Sequence, residues 1–288
     1  MLRNLGSLGG HVVQTTTTMA VCWRMVTQAG ATYGFTSCSR DLVIDGLTYR
    51  ANSGMEPTAV EVNLGLGVDN SEVAGFILPS VMEARQLRAG LFDAAQVFKF
   101  VVDYTNPEGG QVKLEYGVLG EVQIQGTMFT AEIRGLSQWL ASEVLPLTQA
   151  TCRAIFGDPV QCKATVRTNT AAVTSVLNSK TFRASSLVGA RADGFFDYGY
   201  LTWTSGDNNG LRMDVRHFDQ ATGELSLLAD VVIPVAVGNT FTVREGCPKT
   251  RAACKTKMGP LGANNILNFD AEPDIPGNDI MLRIVRAQ

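Results

Sequence analysis

The chain has 288 residues, 45% apolar and 18% charged, with a net charge of −3 at neutral pH. This composition suits a soluble globular protein of one large or two ordinary domains, and it supplies no global attraction for nucleic acid. No run approaches the ~18–20 apolar residues of a membrane-spanning helix. The N-terminal segment has no secretory apolar core, so the chain is expected to be made and folded in a cytoplasm, where cysteines serve as thiols or metal ligands rather than disulfides.

In chain order, DLVIDGLTYRA (41–51) carries Asp45-Gly46 between two strand-like arms, the strongest short hairpin signal. TAVEVNL (58–64) and VDNSEVAGFIL (68–78) read as strands. Ser80 then caps an expected helix, VMEARQLRA, with Glu83 three residues on and Gly90 as its terminating residue. AAQVFKFVVDY (94–104) is β-prone, and QVKLEYGV, GEVQIQG and MFTAEIRG predict three more strands. GLSQWLASEVL (135–145) reads as a short helix closing the first unit before Pro146. After it, TQATCRAIFGDPVQCKATV (148–166) has little periodicity and reads as an irregular connection pinned by something. Short strands follow in AAVTSVL, FDYGYLTWTSG, GLRMDVRHF, GELSLLA and NTFTVREG. The turn-rich end, GPLGANNILNFDAEPDIPGNDIMLRIV, is expected to lie over the surface of the second unit. The predicted architecture is mainly β, of barrel or sandwich type, with two short helices: an N-terminal β-rich domain over 1–146 and a smaller β domain over 147–288.

Catalytic signals are sparse. The two histidines, His11 and His217, sit in no catalytic motif, and GxSxG, HExxH, Walker and GxGxxG patterns are absent. Glu115, Glu121 and Asp197 could serve acid–base hydrolysis only as a converging pair, which a sequence cannot show.

The cysteines are more informative. Cys22 and Cys38 read as a core thiol and a strand-end thiol of the first domain. The other four form C-x9-C (Cys152, Cys162) and C-x6-C (Cys247, Cys254), on loops bracketing the second β unit. If the first and last strands of that unit meet, four sulfurs come within reach of one centre. Four thiolates hold iron–sulfur clusters and many structural zinc ions, while two disulfides or four separate thiols are the competing readings. Long ligand spacing favours a cubane cluster over zinc, which prefers short knuckles. Pro248 stiffens the loop after Cys247, and Arg153, Lys163, Lys249, Arg251, Lys255 and Lys257 would offset the negative charge of a tetrathiolate centre.

The segments CWR (22–24), GFTSCSRDL (34–42), DGLTYRA (45–51), GVDNSEVAG (67–75) and LRAGLFDAAQV (87–97) resemble tail-tip hub proteins of long-tailed phages and gene transfer agents. The likeness continues through TAEIRGL (130–136), TCRAIFGDPVQC (151–162), LTWTSGDNNGL (201–211), FTVREGC (241–247) and NILNFDAEPDIPGND (265–279). More remotely, the chain is similar to the lambda-like tail-tip protein, whose C-terminal domain binds a [4Fe-4S] cluster. That resemblance implies Cys152, Cys162, Cys247 and Cys254 as ligands, although the segment between the two pairs is longer here. It also implies a structural, non-enzymatic protein of the virion tail tip, assembled in the host cytoplasm. Such a hub forms a homotrimeric ring between the distal tail protein and the central fibre or receptor-binding assembly. The ring opens for tape-measure protein and DNA, with DNA a partner only in transit. The alternatives are the same hub with zinc or no metal, a redox-active protein, and a tail-associated cell-wall hydrolase.

Overall fold

The computed structural model describes residues 8–12, 15, 17–51, 56–57, 70–76, 84–126, 128–135 and 145–275. The chain divides into two compact units, Met1–Glu143 and Val144–Gln288. The described residues are mainly β.

The first unit begins with a one-turn helix α1 (Gly9–Val12). Its strands are β1 (Met19–Val26), β2 (Thr32–Thr36), β3 (Leu42–Ile44), β4 (Leu47–Arg50), β5 (Glu56–Pro57), β6 (Asn70–Phe76), β7 (Gln96–Asp103), β8 (Gln111–Gln125) and β9 (Met128–Gly135). They form one sheet in the order β3-β4-β2-β1-β7-β8-β9-β6-β5. Side-chain alternation sends Trp23 and Met25 of β1 into one apolar cluster, and Ala20 and Cys22 into another. The middle of the sheet is therefore covered on both faces, and its strands read as near-continuous apolar runs. Cys22 is fully buried and donates from Sγ to Thr36 Oγ1 at 3.5 Å, and Cys38 packs against the same cluster just past β2. Both match the expected core and strand-end thiols.

The Asp45-Gly46 signal is a two-residue hairpin. Ile44 pairs with Leu47, and both turn residues take positive φ, 51° and 75°. Helix α2 (Ala84–Arg88) is the described part of the expected 81–89 helix; it buries Leu87 and is followed by Gly90 at φ 80°. Its Ser80–Glu83 cap, the expected strand 58–64 and the body of the expected helix 135–145 lie outside the described residues. One expectation is corrected: QVKLEYGV and GEVQIQG are a single strand, β8. Leu119 pairs with Ile133 and Val122 with Ala131, so Gly120-Glu121 opposes one residue and forms a bulge rather than a turn.

The second unit is built on β10 (Thr168–Ala172), β11 (Ser175–Val176), β12 (Thr181–Arg183), β13 (Tyr200–Trp203), β14 (Arg212–Asp219), β15 (Glu224–Leu227) and β16 (Thr240–Arg244). The order is β10-β16-β13-β14-β15-β12-β11. β12 was not foreseen, because three residues, Thr-Phe-Arg, carry too little alternation. The inward face holds Phe182, Trp203 and Phe241, whose ring centroids lie 5.3–5.6 Å apart, and all three are buried. Each such side chain contributes ~1.5–3 kcal/mol of burial. The outward face of β16 and β10 is polar: Thr170 and Thr242 Oγ1 atoms sit 3.3 Å apart across the pair.

The ladder between β10 and β16 positions everything that follows. It is antiparallel, with Thr168 opposite Arg244 and Ala172 opposite Thr240. The chain before 168 and the chain after 244 therefore emerge side by side, and Glu245 N donates to Arg167 O at 2.8 Å as the first step beyond the ladder. The crossing is tight: a Cβ on Gly246 would overlap the Asp197 carbonyl oxygen and the Gly199 amide nitrogen, both backbone atoms. Gly246→Ala is accordingly expected to destabilise this unit by about 3 kcal/mol or more. Denaturant unfolding checks this, and a loss below 1 kcal/mol would contradict the crossing.

A four-cysteine cavity as the candidate functional site

Residues 145–167 arrive at β10 without regular structure, and turn chemistry shapes them. Asp158 Oδ1 accepts from Val160 N and Gln161 N at 2.8 and 2.7 Å, which curls the chain so that Cys162 points back. On the outgoing side, Thr250 Oγ1 accepts from Ala253 N at 3.2 Å and caps helix α3 (Arg251–Cys254), whose last residue is Cys254. The two loops are tied by Cys152 N donating to Lys249 O at 2.9 Å and by Lys249 Nζ donating to Ala154 O.

The result is a small cavity lined by all four of Cys152, Cys162, Cys247 and Cys254. Ala154, Phe156 and Phe269 supply apolar wall, and Lys249, Lys257 and Asn265 are among its polar members. All four cysteines are free thiols; Cys162 and Cys254 are buried, and Cys152 and Cys247 partly so. Burial pushes the Cys254 thiol up to about 11, and the fields of Cys152, Cys162 and Cys247 add to the shift. A cationic centre would reverse that effect on Cys254. Among the described residues, no three His, Cys, Asp or Glu side chains are grouped closely enough to hold a single metal ion. The donor set is soft, all sulfur, with no carboxylate in the cavity wall, which suits a thiolate-loving metal or an iron–sulfur group.

The backbone around the cavity is strained. Six described non-glycine residues have positive φ, and three of them flank it: Lys163 after Cys162, Lys249 after Cys247-Pro248, and Asn264 before Asn265. Each costs on the order of 1–3 kcal/mol and persists only where surrounding structure enforces it.

The basic residues expected to offset the centre's charge are mostly engaged elsewhere. Arg153 donates from Nη1 and Nη2 to Glu272 and from Nη2 to Asp270, all at 2.6 Å. It thereby holds the Glu272 carboxyl down to about 2. Arg251 pairs with Asp274 at 2.8 Å. Lys163 and Lys255 are exposed and not in the cavity wall. Only Lys249 and Lys257 of the set line the cavity, and Lys257 is bound to Glu245 at 2.7 Å and to the Gly246 carbonyl at 2.6 Å.

Sequence reasoning missed Glu245 and Asn265. Glu245 is buried and receives a two-point contact from Arg167 at 2.9 Å as well as Lys257. Burial raises its pKa, but the two cations outweigh burial and leave the carboxyl below its ordinary range. Its only sequence signal was a carboxylate immediately after a strand and two residues before a cysteine. Asn265, also buried, joins both loops to the C-terminal segment, and one asparagine in a turn-rich tail carries no pattern. The tail does more than cover the surface, as was expected of it. It contributes the hairpin β17 (Met258–Gly259) and β18 (Gly262–Ala263), two cavity residues besides Asn265, and the carboxylates that bind Arg153.

The candidate hydrolytic carboxylates have other partners. Glu115 lies 3.8 Å from the buried Lys99, and Glu121 accepts from Gln123 at 3.3 Å on the exposed side of β8. Asp197 belongs to the other unit, where Oδ1 accepts from Phe218 N at 2.8 Å and Oδ2 sits 3.0 Å from His217 Nδ1.

Comparison with known proteins gives the family. The family described as "Baseplate hub protein, N-terminal attachment domain" matches residues 6–165, more than half of the chain, and "Phage conserved hypothetical protein BR0599" matches 194–279. The chain belongs to the baseplate hub protein family, structural components of phage and phage-like virions whose place is the tail tip. A solved chain described as "Virion of native gene transfer agent (GTA) particle" is similar over 98% of this chain and 97% of its own, at 29% identity and a TM-score of 0.82. No curated protein sequence matches.

Two outcomes follow from these contacts. Replacing Glu245 by Ala leaves Arg167 and the largely buried Lys257 without their carboxylate and is expected to cost about 3–5 kcal/mol in chemical denaturation. His217 titrates above its ordinary value, because Asp197 hydrogen-bonds and stabilises its charged form against a smaller effect of burial. Its pairing therefore stabilises the fold fully below the unfolded-state pKa, and that contribution fades as pH rises through the higher folded-state pKa. An NMR titration should show the His217 midpoint above ~6.5, moving down in Asp197→Asn; an unchanged midpoint in that variant would contradict the contact.

Proposed function

We propose that the chain is the ring-forming hub of the tail tip, with a [4Fe-4S] cluster held by Cys152, Cys162, Cys247 and Cys254 as a structural staple. In this reading three copies close a ring on the distal tail protein and carry the central fibre or receptor-binding assembly. The ring opens for tape-measure protein and DNA. Family membership and the end-to-end likeness to a gene transfer agent virion chain support the hub role. The single observation that carries the centre is that four cysteines, from loops almost a hundred residues apart, line one cavity with no carboxylate among its walls.

The cluster, when bound, supplies four sulfur-to-iron bonds that cross-link the incoming and outgoing loops. The protein's own part is to present the sulfurs, keep bulk water off Cys162 and Cys254, and hold the loops together through Cys152 N and Lys249. A staple of this kind does in a reducing cytoplasm what a disulfide does outside it. The fixed charge nearby is nearly balanced, since Arg153, Arg251 and Lys257 have carboxylate partners. Lys249, the other basic residue in the cavity wall, spends its ammonium on the Ala154 carbonyl, and this suits a staple more than a centre built to draw electrons.

Anaerobically purified protein should contain iron and sulfide in equal amount, with a broad absorbance band near roughly 400 nm. One zinc per chain and no colour would replace the cluster with zinc, and absence of both would remove the centre while leaving the hub. Cys247→Ser is expected to lose the iron and to lower the stability of the second unit by about 2–5 kcal/mol, the range for losing a native disulfide. Normal metal content and normal tail assembly in that variant would count against the assignment.

A further inference from the structure

Asn265 is 1% exposed and lies in the cavity wall, yet it comes from neither cysteine loop. Its contacts are one-sided. The side-chain Nδ2 donates to the Cys162 carbonyl at 2.7 Å and lies 3.7 Å from Cys162 Sγ. Its backbone N donates to the Cys254 carbonyl at 3.0 Å, and its own carbonyl accepts from Cys254 Sγ at 3.2 Å. Asn268 Nδ2 donates to Oδ1 at 2.8 Å, which fixes the amide so that the NH2 group, not the oxygen, faces Cys162. One residue of the tail thus touches one cysteine of each pair.

We propose that Asn265 is a positioning residue of the four-thiol centre, setting the placement of Cys162 and Cys254 and donating to the Cys162 sulfur once it is a thiolate. This inference rests on the reading of the cavity as a metal centre. The chemistry is directional. A thiol at Cys254 donates to the Asn265 carbonyl, and that bond is lost when the proton leaves for a metal. The N–H group near Cys162 works the other way: a thiolate is a stronger acceptor than a thiol, so the contact strengthens on ligation. Hydrogen bonds to ligating sulfurs favour the more reduced, more negative state, and partners behind the ligands govern retention of the metal. It also follows that the segment 262–275 is part of the centre. Beyond Asn265 it is latched by Asp270 and Glu272 on Arg153, next to Cys152. Occupancy and tail placement are therefore coupled.

The test compares wild-type full-length chain with Asn265→Asp, which keeps shape and the Asn268 contact but removes both donors, and Asn265→Ala. Metal retention is read as the rate of release to a chelator, alongside the midpoint potential of the bound iron. Both variants should release metal about tenfold to a hundredfold faster and show a lower midpoint potential. In Asn265→Ala, which adds no charge, the potential is the reading that a purely structural residue would leave unmoved. Wild-type release rate and potential in a folded Asn265→Asp overturn the inference while leaving the metal centre standing. Wild-type protein that holds neither iron nor zinc overturns the centre and this inference with it. Should neither variant fold, hydrogen exchange of wild type with and without metal reads the same coupling: protection of 262–275 should fall on stripping, and unchanged protection overturns it.

Discussion

The antiparallel ladder between β10 and β16 is the constraint on which the second unit depends. It joins the first and last strands of a seven-stranded sheet, so the sheet's chain begins and ends at one place. Two loops that carry the cysteines then leave from adjacent positions in space, although Cys162 and Cys247 are far apart in sequence. Bringing them together through a folded sheet avoids the loop-closure entropy that a flexible connection of that length would cost. Glu245 reinforces the same junction by holding Arg167 from one side and Lys257 from the other.

Charge around the cavity is handled locally. Of the strong cations near the cysteine loops, Arg153, Arg251 and Lys257 have carboxylates from the tail or from Glu245, Lys163 and Lys255 lie out in solvent, and Lys249 and Arg244 bond the Ala154 and Phe156 carbonyls. A densely basic stretch in sequence therefore becomes a nearly neutral surround in three dimensions. Such a surround suits the mechanical staple proposed for these cysteines, in a family whose members are structural parts of a baseplate. Backbone strain at Lys163, Lys249 and Asn264 is concentrated at the same place, where the sheet and the latched tail over-determine the chain.

The first unit is organised differently. β1 and β7 run through its middle with apolar side chains on both faces, and the bulge at Gly120-Glu121 bends β8 between its neighbours. Its contribution to function is carried by the baseplate attachment family match, which spans it and continues to residue 165, past both cysteines of the first pair.

Much of this was readable from residues alone because it is local. β-prone runs bounded by turn residues marked many of the strands, Asp45-Gly46 marked a turn whose two positive φ angles need those residue types, and the bracketing of a β unit by two cysteine pairs marked the cavity. What the sequence could not decide depends on which atoms meet after folding. The bulge that fuses two expected strands into β8 is invisible until the partner strand β9 is placed, since a glycine-acid step looks the same in a turn and in a bulge. Three-residue β12 has no period to detect. The pairing of Arg153 with Asp270 and Glu272 spans more than a hundred residues, so the cations looked free for sulfur when they were not. Asn265 is the clearest case: nothing in its neighbours distinguishes it from Asn264. Only the tertiary path of the tail puts its amide, buried, against Cys162 and its backbone against Cys254. Chain chemistry determined the strands and marked the four cysteines; the closing of β10 on β16 decided that they line one cavity, because only a folded sheet brings distant loops to one edge.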